Sequence, residues 1–428
     1  MFSVSCATGY PRMANVLVLL TNQFPYRTET GEMFLHTEIK HLEKHFDKVL
    51  ICPTDAVKKC SDGTFNGKDI VLALQKTSRK RNKVYSLAKA FGYLVGFSVH
   101  HSDDALQNEF RSLKGMGEKF FFSYFYSKAI QKYNLYVKEI SNHLAEEDDV
   151  VIYSYRLFDI AYLAILLAKN LHVRSVRTVS RAHRYDLYRY TNRLNYLPMR
   201  AYLYDNLDYI APCSESGVRY LIADGCSSQK AGCGYLGSAG TEFLPYHPKQ
   251  VLRIFSLSTN KPVKRVELIC KTVAIASQNA DVQWVHIGAD TEALASQYKA
   301  YVDRKVMTFV GEKKHPEAMD FIRTSDFDLF INLSSSEGLP QSIMEAFSFG
   351  IPCLATDVGG TSEIVNDTNG YLIHPDTQPN EIAEIIVRHS QKSKEALEQY
   401  RAAAFETWKC KFNAENNAET FARFLREM

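Results

Sequence analysis

The sequence predicts an α/β protein built on parallel sheets, and two observations carry that expectation. Short apolar runs alternate with amphipathic helical stretches through almost all of the 428 residues, the pattern of strands joined by crossover helices. The runs also fall into two series, one from Asn15 to Cys213 and one from Val251 onward, with no internal sequence repeat. A chain of this length has room for two or three domains.

In the first series Asn15–Leu20 is a strand, followed by a loop, a helix over Gly31–His45 and a strand over Lys48–Cys52. Val150–Ser154 and Arg174–Ser180 are strands on either side of a helix, Ile160–Lys169, and Tyr209–Cys213 closes the series. The second series runs through strand Val251–Leu257, helix Lys264–Gln278 and strands Val282–Ile287, Lys305–Phe309, Phe327–Leu333 and Ile351–Thr356. Phe405–Met428 reads as one helix, with Trp408 and Phe412 near its start. Four glycines and Pro245 crowd into Gly232–Tyr246, a linker composition. The expected division is therefore a first domain over 15–236, a second over 237–404 and a terminal helix over 405–428. Residues 1–14 are expected to be a disordered extension.

Composition narrows the function classes. Hydrophobic residues make up 46% and charged residues 23%, the balance of a soluble globular protein. A net charge of +3 argues against a bulk nucleic-acid binder. The nine cysteines are scattered without a CxxC pair, as in a reducing compartment and unlike a disulfide scaffold or zinc site. No apolar run reaches the roughly 18 residues needed to span a bilayer. The start, MFSVSCATGYPRM, lacks the basic and apolar regions of a signal peptide, so the expected location is cytoplasmic. Between Gln75 and His101 stand six Lys or Arg and no acid, with Val84, Leu87, Ala88, Phe91 and Val95 at helical spacing. A basic amphipathic helix suits an anionic membrane surface, which would make the protein peripheral on the inner face of the cell membrane. Ordinary packing on the first domain is the competing reading.

The run SSSEGLPQSIMEAFSFGIPCLATDVGGTSE, Ser334 to Glu363, carries the clearest chemistry. An apolar strand leads into a turn with Glu337, Gly338 and Pro340. A helical pattern holding Glu345 follows, and then a second strand ending at Gly359–Gly360. A strand, turn and helix present backbone N–H groups at a helix start, which suits an anion. Carboxylates accept hydrogen bonds from vicinal hydroxyls, so the pair suggests a nucleotide-sugar site. In SLSTNKPVKRVELI, Lys264 opens another helix after a strand, where a cation meets a diphosphate.

These residues closely resemble the donor-site signature of retaining glycosyltransferase family 4. That resemblance implies the GT-B fold: two Rossmann-like domains facing across a cleft, with a C-terminal helix crossing back to the first domain. It implies transfer of a hexose from a nucleotide diphosphate sugar, UDP- or GDP-linked, to a glycan or lipid-linked glycan acceptor, with retention of configuration. It implies no further cofactor and no metal. Glu337 would bind the sugar, Glu345 the ribose, and Lys264 the pyrophosphate beside Gly338, Leu339, Pro340, Gln341 and Ser342. Gly288 and Gly311, each ending a strand, would border the base and diphosphate, and Gly31 would touch donor phosphate or acceptor. The family usually has an arginine six residues before the lysine, where this chain has Ser258; Lys261 or Arg265 would compensate, or the site uses one cation fewer.

TVSRAHRYDLY, Thr178 to Tyr188, resembles a segment of bacterial family members that build surface polysaccharides. His183 falls where the family places a histidine near the transferred sugar. Arg181, Arg184, Asp186 and Tyr155 would frame the acceptor. Asp326-Phe327-Asp328 imitates a metal-binding DxD but leads straight into an apolar strand. Three alternatives stay open: a GT-B nucleotide-sugar epimerase or hydrolase, a non-catalytic relative, and a nicotinamide-dependent oxidoreductase. The last is disfavoured because NQFPYR follows the first strand in place of GxGxxG.

Overall fold

A computed structural model describes residues 13–26, 32–55, 64–65, 68–69, 91–92, 94, 103–288, 291–299, 301, 303 and 305–428. Gly31, most of the expected N-terminal extension and nearly all of 75–101 lie outside the described residues. The chain divides into two compact units. Unit one comprises Met1–Cys213, Val218–Gly234 and Ala418–Met428; unit two comprises Ser214–Gly217 and Tyr235–Asn417.

Unit one is a parallel sheet of β1 (Asn15–Thr21), β2 (Lys48–Pro53), β5 (Asp149–Ser154), β6 (Ser175–Ala182) and β7 (Tyr209–Pro212), in the order β2-β1-β5-β6-β7. Two short strands, β3 (Thr64–Phe65) and β4 (Lys68–Asp69), pair antiparallel beside it. β1 reads NVLVLLT and is buried on both sides, as expected for a strand covered by helices on both faces. The helices are α1 (Leu35–His45), α2 (Asp104–Ser112), α3 (Met116–Ser141), α4 (Asp159–Ala168), the single turn α5 (Arg184–Leu187), α6 (Arg200–Asn206) and α7 (Glu215–Ala223), which belongs to unit one from Val218 on. α1 begins at Leu35, four residues later than expected. Among the described residues no helix is long and apolar enough to cross a membrane.

Unit two holds a six-stranded parallel sheet in the order β10-β9-β8-β11-β12-β13. Its strands are β8 (Leu252–Leu257), β9 (Val282–Ile287), β10 (Met307–Phe309), β11 (Leu329–Asn332), β12 (Cys353–Thr356) and β13 (Gly370–Ile373). Its helices are α8 (Val266–Ala276), α9 (Thr291–Gln297), α10 (His315–Thr324), α11 (Gln341–Ser348), α12 (Pro379–Ser390) and α13 (Lys394–Thr407). The core lies on both faces of the sheet, with Trp284, Ile254 and Leu329 on one side and Phe255, Phe330 and Phe347 on the other.

The end of the chain departs from expectation. In place of one helix over 405–428, α13 stops at Thr407, a wide turn covers Trp408–Phe412, and α14 (Ala414–Glu427) begins anew. Two local causes are visible. The Asn413 side chain accepts from the amides of Glu415 and Asn416, an N-cap that starts a helix where another would have to continue. Ser238 also bridges the break, donating its amide to Phe412 O and accepting from Ala414 N. Gly237 allows this approach, since a Cβ there would lie 2.4 Å from Phe412 O. Beyond the break, Phe421, Ala422 and Leu425 are buried in the core of unit one with Leu17, Leu19 and Ile39.

Candidate active site

In unit two the chemistry collects where the strand order reverses. β8 lies between β9 and β11, so the connections after β8 and β11 leave in opposite directions and open a crevice at the carboxyl ends of the strands. Lys264 comes from the first connection and Glu337 from the second. After β8 the chain makes a single 3-10 turn, Pro262–Lys264, with Arg265 left-handed at φ 47° before α8. This turn aims Lys264 Nζ at Glu337 Oε1, 2.6 Å away. Glu337 is otherwise buried.

The turn after β12 locks Glu337 from behind. Gly359 has φ +59°, and a Cβ there would meet Glu337 O at 2.1 Å. Gly360 N donates to Gly338 O at 2.7 Å. The two glycines are thus required by close backbone approach. Glu363, the last residue of the motif, accepts from the Tyr235 hydroxyl and from the amides of Glu215 and Ser216. Beyond Gly338 and Leu339, Pro340 occupies the N-cap of α11 and no side chain caps the helix. The first-turn amides, including those of Gln341 and Ser342, therefore keep the positive end of the helix dipole for a ligand.

Glu345 lies one turn further along α11 and is buried. Its Oε1 accepts from His315 Nε2 at 2.7 Å and from Gln341 Nε2 at 2.9 Å. The hydrogen bond to Glu345 raises the His315 pKa against the opposing effect of partial burial. His315, thirty residues before Glu345, was not singled out from the sequence; only folding brings α10 beside α11.

Ser258, Gly288 and Gly311 stand side by side at the ends of β8, β9 and β10. Ser258 N donates to Ile287 O at 3.0 Å and Gly288 N to Gly311 O at 2.9 Å. Gly288 has φ +124°, and a Cβ there would lie 2.4 Å from Ser258 O. Arg265 is engaged with backbone carbonyls. Its guanidinium donates to Leu333 O, to Pro375 O at 2.7 Å and to Ser334 O at 3.3 Å, so it ties α8 to the ends of β11 and β13. Lys261 is exposed and lines an open groove of about 640 Å³ with Asn260, Tyr298 and Gln378; neither glutamate borders that groove. The aspartates of the DxD imitation are engaged with Lys249, Asp326 at 2.8 Å and Asp328 at 3.1 Å.

Unit one places the segment after β6 differently for each residue. His183 follows the strand directly and packs on the Tyr155 ring at 4.8 Å. Its pKa is driven well down by burial and by the charges of Arg156 and Arg181, so the imidazole is neutral. Tyr155 is fully buried, and its hydroxyl has no hydrogen-bond partner among the described residues. Arg184 is half-buried on α5. Arg181 and Asp186, expected at the acceptor, are absorbed by the fold. The Arg181 guanidinium is buried against Glu38, donates to Tyr153 Oη at 2.7 Å and Gly234 O at 2.5 Å, and stacks on Phe421 at 4.1 Å. Burial raises the Glu38 pKa even so. Asp186 takes one backbone amide on each oxygen, His183 N and Leu157 N, both at 2.7 Å. It clips the turn after β5 to the turn after β6.

Beside Gly31, the carboxylate of Glu32 is buried and accepts from three successive amides after β1: Asn22 at 2.6 Å, Gln23 at 2.8 Å and Phe24 at 2.8 Å.

Comparison with known proteins places these features in context. Residues 246–406 match the family model described as Glycosyl transferases group 1, a span that includes Lys264, Glu337 and Glu345. The chain is 34% identical over 110 residues to the Escherichia coli O-antigen biosynthesis glycosyltransferase WbnH, covering 26% of this chain and 30% of that one. It is 23% identical over 238 residues to the Erwinia amylovora amylovoran biosynthesis glycosyltransferase AmsK, covering 53% and 57%. The alignments thus span from under a third to just over half of these relatives. Among solved structures, the lipopolysaccharide outer core galactosyltransferase WaaB superposes with a TM-score of 0.64 at 13% identity, over 96% of this chain and 99% of that one. Anabaena HepE in complex with UDP and glucose gives 0.60 at 14% identity, over 97% and 100%. The two parallel-sheet units are those of the GT-B fold, as the sequence led us to expect.

Proposed function

We propose that the chain is a retaining glycosyltransferase that moves a hexose from a nucleotide diphosphate sugar to a glycan acceptor in surface-polysaccharide assembly. The observation that carries this reading is the Lys264–Glu337 pair at the uncapped start of α11, with Glu345 eight residues on. The family match over 246–406 and the polysaccharide-building relatives support it.

Unit two would hold the donor. Glu345, oriented by His315 and Gln341, offers its second oxygen to the ribose hydroxyls. Glu337 accepts hydrogen bonds from the hexose and orients the ring. Lys264 and the first-turn amides of α11 meet the diphosphate, where negative charge grows as the glycosidic bond breaks; preorganised donors at such a point lower the barrier directly. The leaving diphosphate is neutralised by chain groups, so activity is expected to survive a chelator. In unit one, His183 and Arg184 remain the residues for the sugar and acceptor, with Tyr155 supporting His183. Arg181 and Asp186 hold that segment in place. A lipid-linked acceptor and contact of 75–101 with an anionic membrane belong to the same proposal.

The test is a thermal-shift panel of UDP- and GDP-sugars, then product analysis with and without glycan acceptors. Stabilisation by one donor, acceptor-dependent transfer and an unchanged anomeric proton coupling in the product are expected. Inversion, or hydrolysis alone with every acceptor, would contradict the proposal.

A further inference from the structure

The contact between His315 and Glu345 joins a side chain that titrates near neutrality to a buried carboxylate. The Glu345 side chain is 6% exposed and that of His315 41%. Both donors to Glu345, His315 Nε2 and Gln341 Nε2, fall on the same oxygen, Oε1. Gln341 stands one turn before Glu345 on α11 and cannot titrate; His315 comes from another helix and can. Its Nε2 donates to the carboxylate whether the ring is charged or neutral. The proton that comes and goes is therefore the one on Nδ1, which has no hydrogen-bond partner among the described residues.

The surroundings of the ring set the sign. His315 is the first residue of α10, after the N-cap Lys314 and before Pro316. The positive end of a helix opposes a further positive charge, and Lys313 and Lys314 adjoin the ring in sequence. Lys313 is drawn over the Phe321 ring at 5.2 Å, and Glu317 turns back to the Lys314 amide at 3.4 Å. Glu312 is exposed. From α11 the facing groups are Glu345 and the neutral Gln341; deeper contacts are apolar, with Ala318 and Ile322 in one core with Ile343 and Phe347. Glu345 prevails: its hydrogen bond is the largest influence on the ring and raises the His315 pKa above 6.5.

Under the proposed function, on which this inference rests, ribose hydroxyls meet the second oxygen of Glu345 and water leaves the pair. A carboxylate that loses water needs a compensating cation more than before, and the nucleotide brings negative charge of its own. Both effects raise the affinity of the ring for a proton. By reciprocity, a ligand that tightens proton binding is itself bound more tightly when the proton is present.

We infer that His315 is a positioning residue that couples donor binding to proton uptake, the nucleotide being held more tightly by the imidazolium than by the neutral ring.

The test is calorimetry of UDP and of GDP against the full chain, in two buffers of small and large ionisation enthalpy, from pH 6.5 to 8.5. Up to about one proton should be taken up per nucleotide, and Kd should rise with pH by up to about tenfold per unit. His315→Gln keeps an amide donor for Glu345 but cannot take a proton, so the uptake and the pH dependence it causes should vanish. The terminal phosphate of the nucleotide titrates in both proteins, and the difference between parent and variant isolates the ring. His315→Ala, which also loses the donor, should weaken binding at pH 6.5 by roughly tenfold or more. In the free chain, the imidazole signal that His315→Gln removes from the NMR spectrum should titrate at lower pH once Glu345→Gln is introduced. Equal proton counts in parent and His315→Gln would overturn the inference and leave the donor reading standing, as would an imidazole midpoint that Glu345→Gln does not move. Failure of both nucleotides to bind at every pH would overturn the inference and the donor reading together.

Discussion

Replacing Lys264 separates a structural from a catalytic role for its contact with Glu337. The two side chains meet at 2.6 Å and are 25% and 10% exposed. A hydrogen bond between charged groups is worth about 1.5–3 kcal/mol, and the partial exposure of the lysine places this one near the lower figure. Lys264→Met should therefore cost unit two about 1.5 kcal/mol, a fall of roughly 3–6 °C in its melting temperature. Turnover should fall much further, by roughly 10²–10³ in kcat, because the cation is lost where charge develops on the diphosphate. Adding Glu337→Gln removes the stranded carboxylate and should restore most of the stability without restoring turnover. Lys264→Arg, which keeps the charge, should stay well above Lys264→Met. Melting curves and kcat at saturating donor decide the matter. Turnover that returns with stability in the double variant, or that stays within about threefold of the parent in Lys264→Met, would make the pair a fold contact only.

Glu345→Ala should raise the Kd for the nucleoside diphosphate roughly tenfold, since a charged acceptor is lost; calorimetry showing unchanged affinity would remove Glu345 from the site. Gly288→Ala should both destabilise unit two and weaken donor binding, because its φ of +124° and a 2.4 Å approach to Ser258 O leave no room for a methyl group. Gly225→Ala, at φ +107° with open space around it, carries the backbone strain of roughly 1–3 kcal/mol without the clash, and the difference between the two measures the contact. His286 is buried, and burial holds its pKa at about 4 against 6.5. The unfolded chain then takes up a proton that the folded chain refuses. Its contribution is complete above pH 6.5 and is lost as pH falls from 6.5 to 4, at about 1.4 kcal/mol per pH unit. Denaturant titrations at pH 7.5 and 5 should show a smaller acid loss in His286→Asn; parallel losses would refute the assignment.

The geometry of the candidate donor site in unit two was legible because its signals are local. Glu337, Gly338 and Glu345 fall within one strand–turn–helix, and each residue's place follows from its neighbours in sequence. Lys264 was legible for the same reason, opening a helix after a strand. The acceptor half was less so. Arg181 and Asp186 have the right chemistry for a sugar, but their partners lie elsewhere: Glu38 is 143 positions from Arg181, and Leu157 is 29 from Asp186. Nothing in periodicity reveals that a buried carboxylate will consume an arginine. Arg265 is taken up in the same way, by carbonyls that come from the ends of β11 and β13. His315 was invisible until α10 and α11 were laid side by side. The break at Asn413 was missed because apolar spacing continues through it, while its cause is a cap and a bridge to Ser238.

The Glu32 carboxylate, seated on three amides after β1, acts as a tethered competitor. A free phosphate arriving at that turn would have to evict a resident anion that never diffuses away, and would leave a buried carboxylate stranded. Inorganic phosphate or pyrophosphate in a buffer should therefore not bind at this turn of the parent protein. Glu32→Gln, by vacating the turn of its charge, would be expected to create a second and weaker anion site, visible as a second phase in pyrophosphate titrations that the parent protein lacks.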